Sequence, residues 1–260
     1  MSGRGTIEKD ISVKDQPFAG TASDQVDAIL ATGCGDITTV FVSMSTRHPE
    51  GDDASYLRWH ALDHRPEQYR LSGLRASLRI VSTPECRAVR AAADPRFEPV
   101  DHVMTYFFED TAALEPFNDL AVGLRDAGRM PYLLPSVERA VYTVQERTAD
   151  PEAKVGADVL PWWPARGIYL LIEIGAAPSN GLVGVPGVAG QWRASAAPSA
   201  FSGAEGGQQI TYLFLDGDPV ETGERLKPVL KQRWETSDAR PLLAAPFFVT
   251  IPHAWTRYLP

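Results

Sequence analysis

Two histidines lie one helical turn apart in residues 59–67, which read WHALDHRPE. His60 and His64 are spaced i,i+4, so they share one helix face, and Asp63 lies next to that face. A nearby carboxylate raises the pKa of an imidazole and can fix its tautomer. We therefore predict that His64 is a general acid or base for a small molecule, with His60 or Asp63 assisting.

Proton abstraction beside a carbonyl needs only such a base and a donor for the enolate oxygen. Arg79, Tyr106 or Trp192 could be that donor if their strand faces point inward, and we count them as candidate ligand-binding residues with Trp59. Structural roles compete with these functional ones. A histidine on a helix packed against a sheet is more often a satisfied structural residue, and Trp59 would serve equally well as a core anchor.

The same histidine pair has metal-ligand spacing, but the HExxH pattern is absent. A third ligand would have to be His102 or Asp101. A haem would need an axial histidine, for which His64 or His253 is available. We predict no metal site and no cofactor, and we keep a haem- or metal-dependent oxygenase as an alternative.

Composition narrows the class of protein. The chain has 260 residues with 25 Lys and Arg against 33 Asp and Glu, a net charge of −8 and no basic block, which argues against a nucleic-acid partner. No stretch approaches 18 apolar residues, so we predict no membrane partner. Two cysteines, Cys34 and Cys86, are too few for a disulfide framework, and we expect a cytoplasmic location.

The order of elements predicts an α+β fold. Residues 36–148 read as a β-α-β-β-α-β unit, the ferredoxin-like order. Its strands are predicted at residues 36–46, 74–82, 101–108 and 137–148, and its helices at 54–70 and 111–128.

The remainder of the chain repeats this order in reduced form. Its strands are predicted at residues 168–176, 191–196, 209–215 and 246–251, and its helix at 219–236. A Gly- and Pro-rich loop at 178–190 takes the place of the first helix. Residues 105–110 resemble residues 211–216 at an offset of 106 (211 minus 105), which favours an internal duplication.

Four segments follow from this reading: an N-terminal arm at 1–35, a first repeat at 36–148, a linker at 149–166 and a reduced second repeat at 167–260. Helices cover one face of each predicted sheet and leave the other face apolar. Those two faces require burial, so we expect the two sheets to pack on each other within one chain as a closed or nearly closed barrel.

The histidine segment resembles the EthD-like branch of the dimeric α/β-barrel superfamily, in which a helix carries the pattern W-Y-x-x-E-H-x-P. Trp59, His64 and Pro66 match the tryptophan, histidine and proline of that pattern. Asp63 stands in place of the glutamate and His60 in place of the tyrosine.

The resemblance continues beyond the helix. Ser72-Gly73-Leu74 replaces the P-G-F turn of the family, and Arg79 lies in the strand that follows. In that superfamily two chains form the barrel, and the resemblance implies ferredoxin-like units packed in this way. With the internal duplication, both units would belong to this one chain, the second lacking its first helix. Similar proteins include polyketide cyclases, muconolactone-type isomerases and haem-degrading oxygenases.

Three hypotheses follow for function. The first is a cofactor-independent isomerase, cyclase or lyase that acts on a small apolar or aromatic carbonyl compound bound between a sheet and the first helix. The second is a non-catalytic small-molecule binding or accessory protein, and the third is the oxygenase named above. In each case we expect a monomer or a homodimer, since an internally paired barrel does not require a second copy of the chain but is compatible with one.

The environment of His64 separates these hypotheses. An open pocket lined by His64 and an inward-pointing arginine favours the enzyme. A filled cavity, with His64 buried and bonded to backbone, favours a binding or structural role. Because the second repeat lacks its first helix, we expect one site per chain, in the first half.

Overall fold

The computed structural model describes residues 36–175, 178 and 181–259. The predicted arm at 1–35, including a short helix expected at 23–31 and Cys34, lies outside the described residues. The strands are β1 Thr39–Ser45, β2 Leu74–Val81, β3 Ala92–Ala93, β4 His102–Phe108, β5 Ser136–Ala149, β6 Gly167–Ile174, β7 Val188–Ala196, β8 Gln208–Leu215 and β9 Arg240–Val249. The helices are α1 Asp53–Trp59, a π-helical turn His60–His64, α2 Arg65–Gln68, α3 Pro84–Ala88, α4 Leu114–Asp126 and α5 Pro219–Glu235.

Eight strands form a closed antiparallel barrel in the order β2-β4-β1-β5-β7-β8-β6-β9, and β9 pairs back to β2. The short β3 pairs with β9. Strands β2-β4-β1-β5 and strands β7-β8-β6-β9 have the same ferredoxin-like order within their halves. The predicted fold class, an intrachain α/β-barrel, is confirmed. The domain boundaries and the duplication stay predictions.

Side-chain alternation along each strand divides the barrel into a filled interior and an outer face. In β1, Val40 and Val42 belong to the main core, whereas Phe41 belongs to a separate cluster outside it. Aromatic rings from both halves fill the interior, and Phe107 and Trp192 meet there with ring centroids 5.7 Å apart. The interior of this eight-stranded barrel is filled by these side chains and by the rest of the main core.

The predicted helix at 54–70 is confirmed in position but is interrupted by the π-helical turn. The N–H of Arg65 bonds to the carbonyl of His60, five residues earlier. Pro66 follows directly, and a proline has no N–H to donate and its ring needs room in the preceding turn. The wider turn supplies that room, so the helical path bends at Pro66 without ending there.

The predicted start of the last strand was wrong. That strand begins at Arg240, not at Pro246, because it contains Pro241 and Pro246, and proline is typical of strand ends. Residues 83–99, which lie between two predicted strands, also contain α3 and β3.

The internal sequence match also differs by one residue from the structural correspondence. In β4, Phe108 pairs with the first residue of β1, and Leu215 holds the same place in β8 opposite the first residue of β6. The structural offset is therefore 107 (215 minus 108) instead of 106. A one-residue shift reverses the faces of a strand, so Tyr106 lies on the outer face while Tyr212 lies in the interior.

Gly73 allows the turn before β2 to pack against the start of α4. A Cβ at Gly73 would lie 2.4 Å from the Cβ of Ala113. We expect Gly73→Ala to lower the free energy of unfolding by about 1–3 kcal/mol, measured by urea denaturation. Gly123→Ala is the matched control, because a Cβ at this position meets nothing within 4 Å. This change replaces a glycine inside a helix, so it should raise the free energy of unfolding by about 1 kcal/mol. Equal effects of the two changes would contradict this packing argument.

Candidate functional site

A cavity of about 820 Å³ lies outside the barrel, between the outer face of the first-half sheet and the helices that cover it. Its floor is formed by β1, β2 and β4, where Arg79, Met104 and Ser43 are opposite one another in a cross-strand row. The segment from α1 to α2 forms one wall and α4 forms the other. The cavity thus occupies the position expected for the ligand, between a sheet and the first helix.

Five of the seven predicted site residues line this cavity. They are Trp59, His60, His64, Arg79 and Tyr106. Phe41, Tyr56, Phe117 and Tyr132 add further aromatic rings to the lining. The structure therefore presents an aromatic cavity that contains both predicted histidines and an arginine.

The other two predicted residues lie outside the lining. The carboxylate of Asp63 turns to the guanidinium of Arg129, with an N–O distance of 3.1 Å. Trp192 is buried inside the barrel, where its indole N–H donates to the carbonyl of Ala157 at 2.7 Å. A contact between either residue and a ligand stays a prediction, and neither side chain lies in the lining of this cavity.

Tyr56, His60, His64 and Gln68 form one stripe along the cavity wall, each four residues after the last. In an unbroken α-helix, positions four apart rotate by about 40° around the axis, so such a stripe drifts away from a flat surface. The π-helical turn places an extra residue in one turn and takes up part of that rotation. The local backbone thereby keeps all four side chains directed at the same cavity.

His64 is neutral at physiological pH. Its burial and the nearby charge of Arg79 lower its pKa from 6.5 to about 4, against an opposing contribution from Asp63. The ring stacks on Trp59 with centroids 5.0 Å apart. Its Nε2 lies 2.9 Å from the amide nitrogen of Gln68, and its Nδ1 has no hydrogen-bond partner among the described residues.

His60 is also neutral, because burial holds its pKa well below the usual value and Arg79 adds to the effect. Its Nε2 lies 3.2 Å from the hydroxyl of Tyr106. Burial raises the pKa of Tyr106, so the phenol keeps its proton and can donate it in this hydrogen bond. The two neutral imidazoles lie with ring centroids 5.5 Å apart.

Arg79 brings a buried positive charge to the cavity floor. It is 5% exposed, and its guanidinium donates to the hydroxyl of Tyr56 at 2.8 Å. In the part of the chain that the structure describes, none of the ion pairs includes Arg79, and its Nε has no partner. A buried cation without a counter-charge is costly, so this site favours a ligand with a negative or strongly polarised oxygen.

The nearest buried carboxylate is already engaged elsewhere. Asp53 accepts from Nε2 of His102 at 2.6 Å and from the backbone N–H of His48 at 3.1 Å. Burial opposes ionisation of Asp53, but these hydrogen bonds outweigh it and lower the pKa of the carboxyl. For His102, burial lowers the pKa below its usual value, so the ring is neutral. The pair is therefore a hydrogen-bonded structural link between the start of α1 and β4.

The lining of the cavity includes a second polar group. Glu138 bonds to Arg96 at 3.1 Å and accepts from the amide of Gln208 at 2.8 Å. Burial raises the pKa of Glu138 in spite of these partners. Leu133 and Phe201, which are 58% and 38% exposed, contribute apolar surface to the lining.

Sequence reasoning did not single out Tyr56, Gln68 or the group around Glu138. The four-residue spacing of Tyr56 and Gln68 from the histidines is a signal that could have revealed the first two. Glu138 and Arg96 come from distant parts of the chain, and nothing in the local sequence connects them.

The donor set does not fit a metal centre with three protein ligands. Among the described residues, no group of three His, Cys, Asp or Glu side chains could hold a metal ion. His102 is bonded to Asp53, and Asp101 is held by Arg87 at 2.7 Å. The other haem-ligand candidate, His253, is exposed and packs beside Trp255. We derive no step through a metal or a haem.

Comparisons with known proteins bear on the fold. No protein-family model matches the sequence, and no curated protein is significantly similar to it. A chlorite dismutase-like protein superposes with a TM-score of 0.51 at 11% identity, over 86% of this chain and 100% of that one. An anthrone oxidase-like protein gives 0.45 at 12% identity, over 83% and 92% of the two chains. A chlorite dismutase from Candidatus Nitrospira defluvii gives 0.47 at 10% identity, over 86% and 95%.

At these identities the likeness concerns the fold alone. Together with the eight-stranded closure, it shows that the chain has the fold of the dimeric α/β-barrel superfamily, with both halves in one polypeptide. None of the helices that the structure describes has the length and apolar character needed to cross a membrane.

Proposed function

We propose that this protein is a cofactor-independent enzyme of isomerase, cyclase or lyase type that acts on a small aromatic carbonyl compound. The observation that carries the proposal is the buried, unpaired guanidinium of Arg79 beside the neutral imidazole of His64 in an aromatic cavity. A positive group and a proton acceptor that face the same cavity are what enolate chemistry requires.

In the proposed step, His64 removes a proton from the carbon next to the carbonyl. The C–H electron pair becomes the carbon–carbon π bond of the enolate, the carbonyl oxygen takes the negative charge beside Arg79, and the proton resides on the imidazole. The new negative charge offsets the effect of Arg79 on His64, so the imidazolium becomes more stable as the enolate forms. Return of the proton from the imidazole to another carbon completes isomerisation. In a cyclisation the enolate carbon instead attacks a second carbonyl, and the resulting alkoxide takes the proton from the imidazole.

The cavity also supports an aromatic substrate. Its volume of about 820 Å³ lies within the range of roughly 300–1,000 Å³ for small-molecule sites. Rings from both helical walls and from the sheet would stack on a planar ligand.

Hydrogen–deuterium exchange tests the proposal without knowledge of the natural reaction. Bicyclic aromatic ketones such as 2-tetralone would be incubated with the protein in D₂O, and exchange at the carbon next to the carbonyl would be followed by NMR. We expect the wild-type protein to accelerate exchange and His64→Gln to reduce that acceleration by about 10²–10⁴-fold, the usual contribution of a general base.

His253→Gln is the matched control, because His253 is exposed and lies outside the cavity lining. Equal exchange by the wild-type protein and His64→Gln would refute the catalytic assignment. Ketones that bind and raise the melting temperature without faster exchange would instead support the non-catalytic binding protein. Cytoplasmic location and oligomeric state stay predictions.

A further inference from the structure

Gln68 occupies the polar wall of the cavity and is 2% exposed. It lies at the end of α2, where its amide nitrogen is 2.9 Å from Nε2 of His64. Its amide oxygen has no hydrogen-bond partner among the described residues. A buried amide with one half bonded and the other half free can reorganise at little cost in lost hydrogen bonds.

The orientation of this amide determines the tautomer of His64. An amide NH₂ only donates, so Nε2 of the neutral ring must accept. The single proton of the imidazole then resides on Nδ1.

A half-turn of the amide reverses the assignment. The free Oε1 of Gln68 would then face the ring and accept a proton from Nε2, which leaves Nδ1 with a lone pair. Among the residues that the structure describes, Nδ1 of His64 has no hydrogen-bond partner. The direction of the Gln68 amide therefore decides whether Nδ1 is a donor or an acceptor.

We propose that Gln68 is a positioning residue that selects which ring nitrogen of His64 carries the proton. In the resting protein it holds the Nδ1–H tautomer, and rotation of the amide converts His64 into a ring with a free Nδ1. The inference rests on the proposed function only for the use of His64 as an acid or base. The tautomer is a property of the ligand-free protein and is measured separately from catalysis.

The experiment is long-range ¹H–¹⁵N NMR of the histidine rings in the full ¹⁵N-labelled chain, with the His64 signals assigned from a spectrum of His64→Gln. At pH 7 we expect the wild-type ring in the Nδ1–H form. Gln68→Glu places a carboxylate in front of Nε2, so the ring should change to the Nε2–H form and its pKa should rise from about 4 by at least 1–2 units. Gln68→Leu should leave the pKa low and allow both tautomers.

Gln232→Glu makes the same change in charge at an exposed position of α5 and should alter neither the tautomer nor the pKa of His64. A wild-type ring in the Nε2–H form would overturn the proposal even if the Gln68 variants failed to fold. So would a Nδ1–H ring that Gln68→Glu and Gln68→Leu leave unchanged. Failure of the exchange assay with the expected NMR result would remove the catalytic role of His64 and retain the tautomer assignment.

Discussion

Replacing Arg79 with methionine should weaken the binding of small aromatic anions strongly and leave the protein folded. The guanidinium is the buried cation of the cavity floor, and no carboxylate of the described residues pairs with it. Hydrogen bonds from a charged donor contribute about 2–3 kcal/mol, so the dissociation constant for 2-naphthoate should increase by about 30- to 150-fold. Isothermal titration calorimetry measures the change.

For the same variant we expect no loss of stability, although it replaces a buried side chain. An unpaired buried charge costs free energy, whereas methionine has a similar shape and no charge, so Arg79→Met should keep or raise the free energy of unfolding of the ligand-free protein. Arg75→Met is the matched control. Arg75 lies on the same strand, pairs with Glu109 at 2.5 Å and is not part of the cavity lining.

We expect Arg75→Met to bind 2-naphthoate like the wild type. If Arg79→Met instead destabilised the protein strongly and still bound the anion, Arg79 would be a structural residue held by Tyr56. That result would also remove the main support for an enolate site.

Acid should destabilise this protein well before its carboxylates titrate. His60, His64 and His102 are buried and neutral, and burial lowers the pKa of each one. In the unfolded chain a histidine binds a proton below a pH of about 6.5. The unfolded state therefore binds more protons between pH 6.5 and 4, and stability must decrease as the pH falls through that window.

The effect is large. For His64, whose pKa falls from 6.5 to about 4, the linkage amounts to about 2 kcal/mol at pH 5. His60 and His102 act in the same direction. At still lower pH, protonation of Asp53 adds to the loss, since the depressed pKa of this carboxyl shows that folding favours its ionised form. Urea denaturation at pH 7 and pH 5 measures the difference.

His64→Gln removes one of the three titrating groups, so its stability should fall by about 2 kcal/mol less between the two pH values. His253→Gln should show the full wild-type decrease, because that ring is exposed. A wild-type protein equally stable at pH 5 and pH 7 would mean that the three rings are protonated or hydrated in the fold.

The local sequence was sufficient to predict the order of strands and helices, because each of these elements is indicated by residue types and spacing within a short segment. The short runs of β-forming residues in β1 and β4, and the helical spacing of Leu114, Leu120 and Leu124 in α4, do not depend on distant partners. The histidine segment was also readable, since residues four apart share a face. Closure of the barrel followed from the need to bury two apolar sheet faces.

Contacts between residues that are far apart in the sequence could not be predicted from local patterns. The sequence placed Asp63 beside His64, but Arg129 comes from beyond α4 and draws that carboxylate away. It offered Trp192 as a ligand donor, but β-strand parity and the barrel interior decide which face a strand residue takes. The same parity separates Tyr106 from Tyr212 in spite of their matching sequence context.

By itself, the sequence determined the order of elements, the closed barrel and the histidine stripe, because hydrophobic period and residue spacing are properties of a short segment. Only the tertiary structure decided that Arg79 enters the cavity without a carboxylate partner, that Asp63 and Trp192 lie outside its lining, and that Gln68 faces His64. These features depend on which chain segments pack against one another. The burial, charge environment and hydrogen bonds of a site residue come from segments that are distant in sequence, not from its neighbours in the chain.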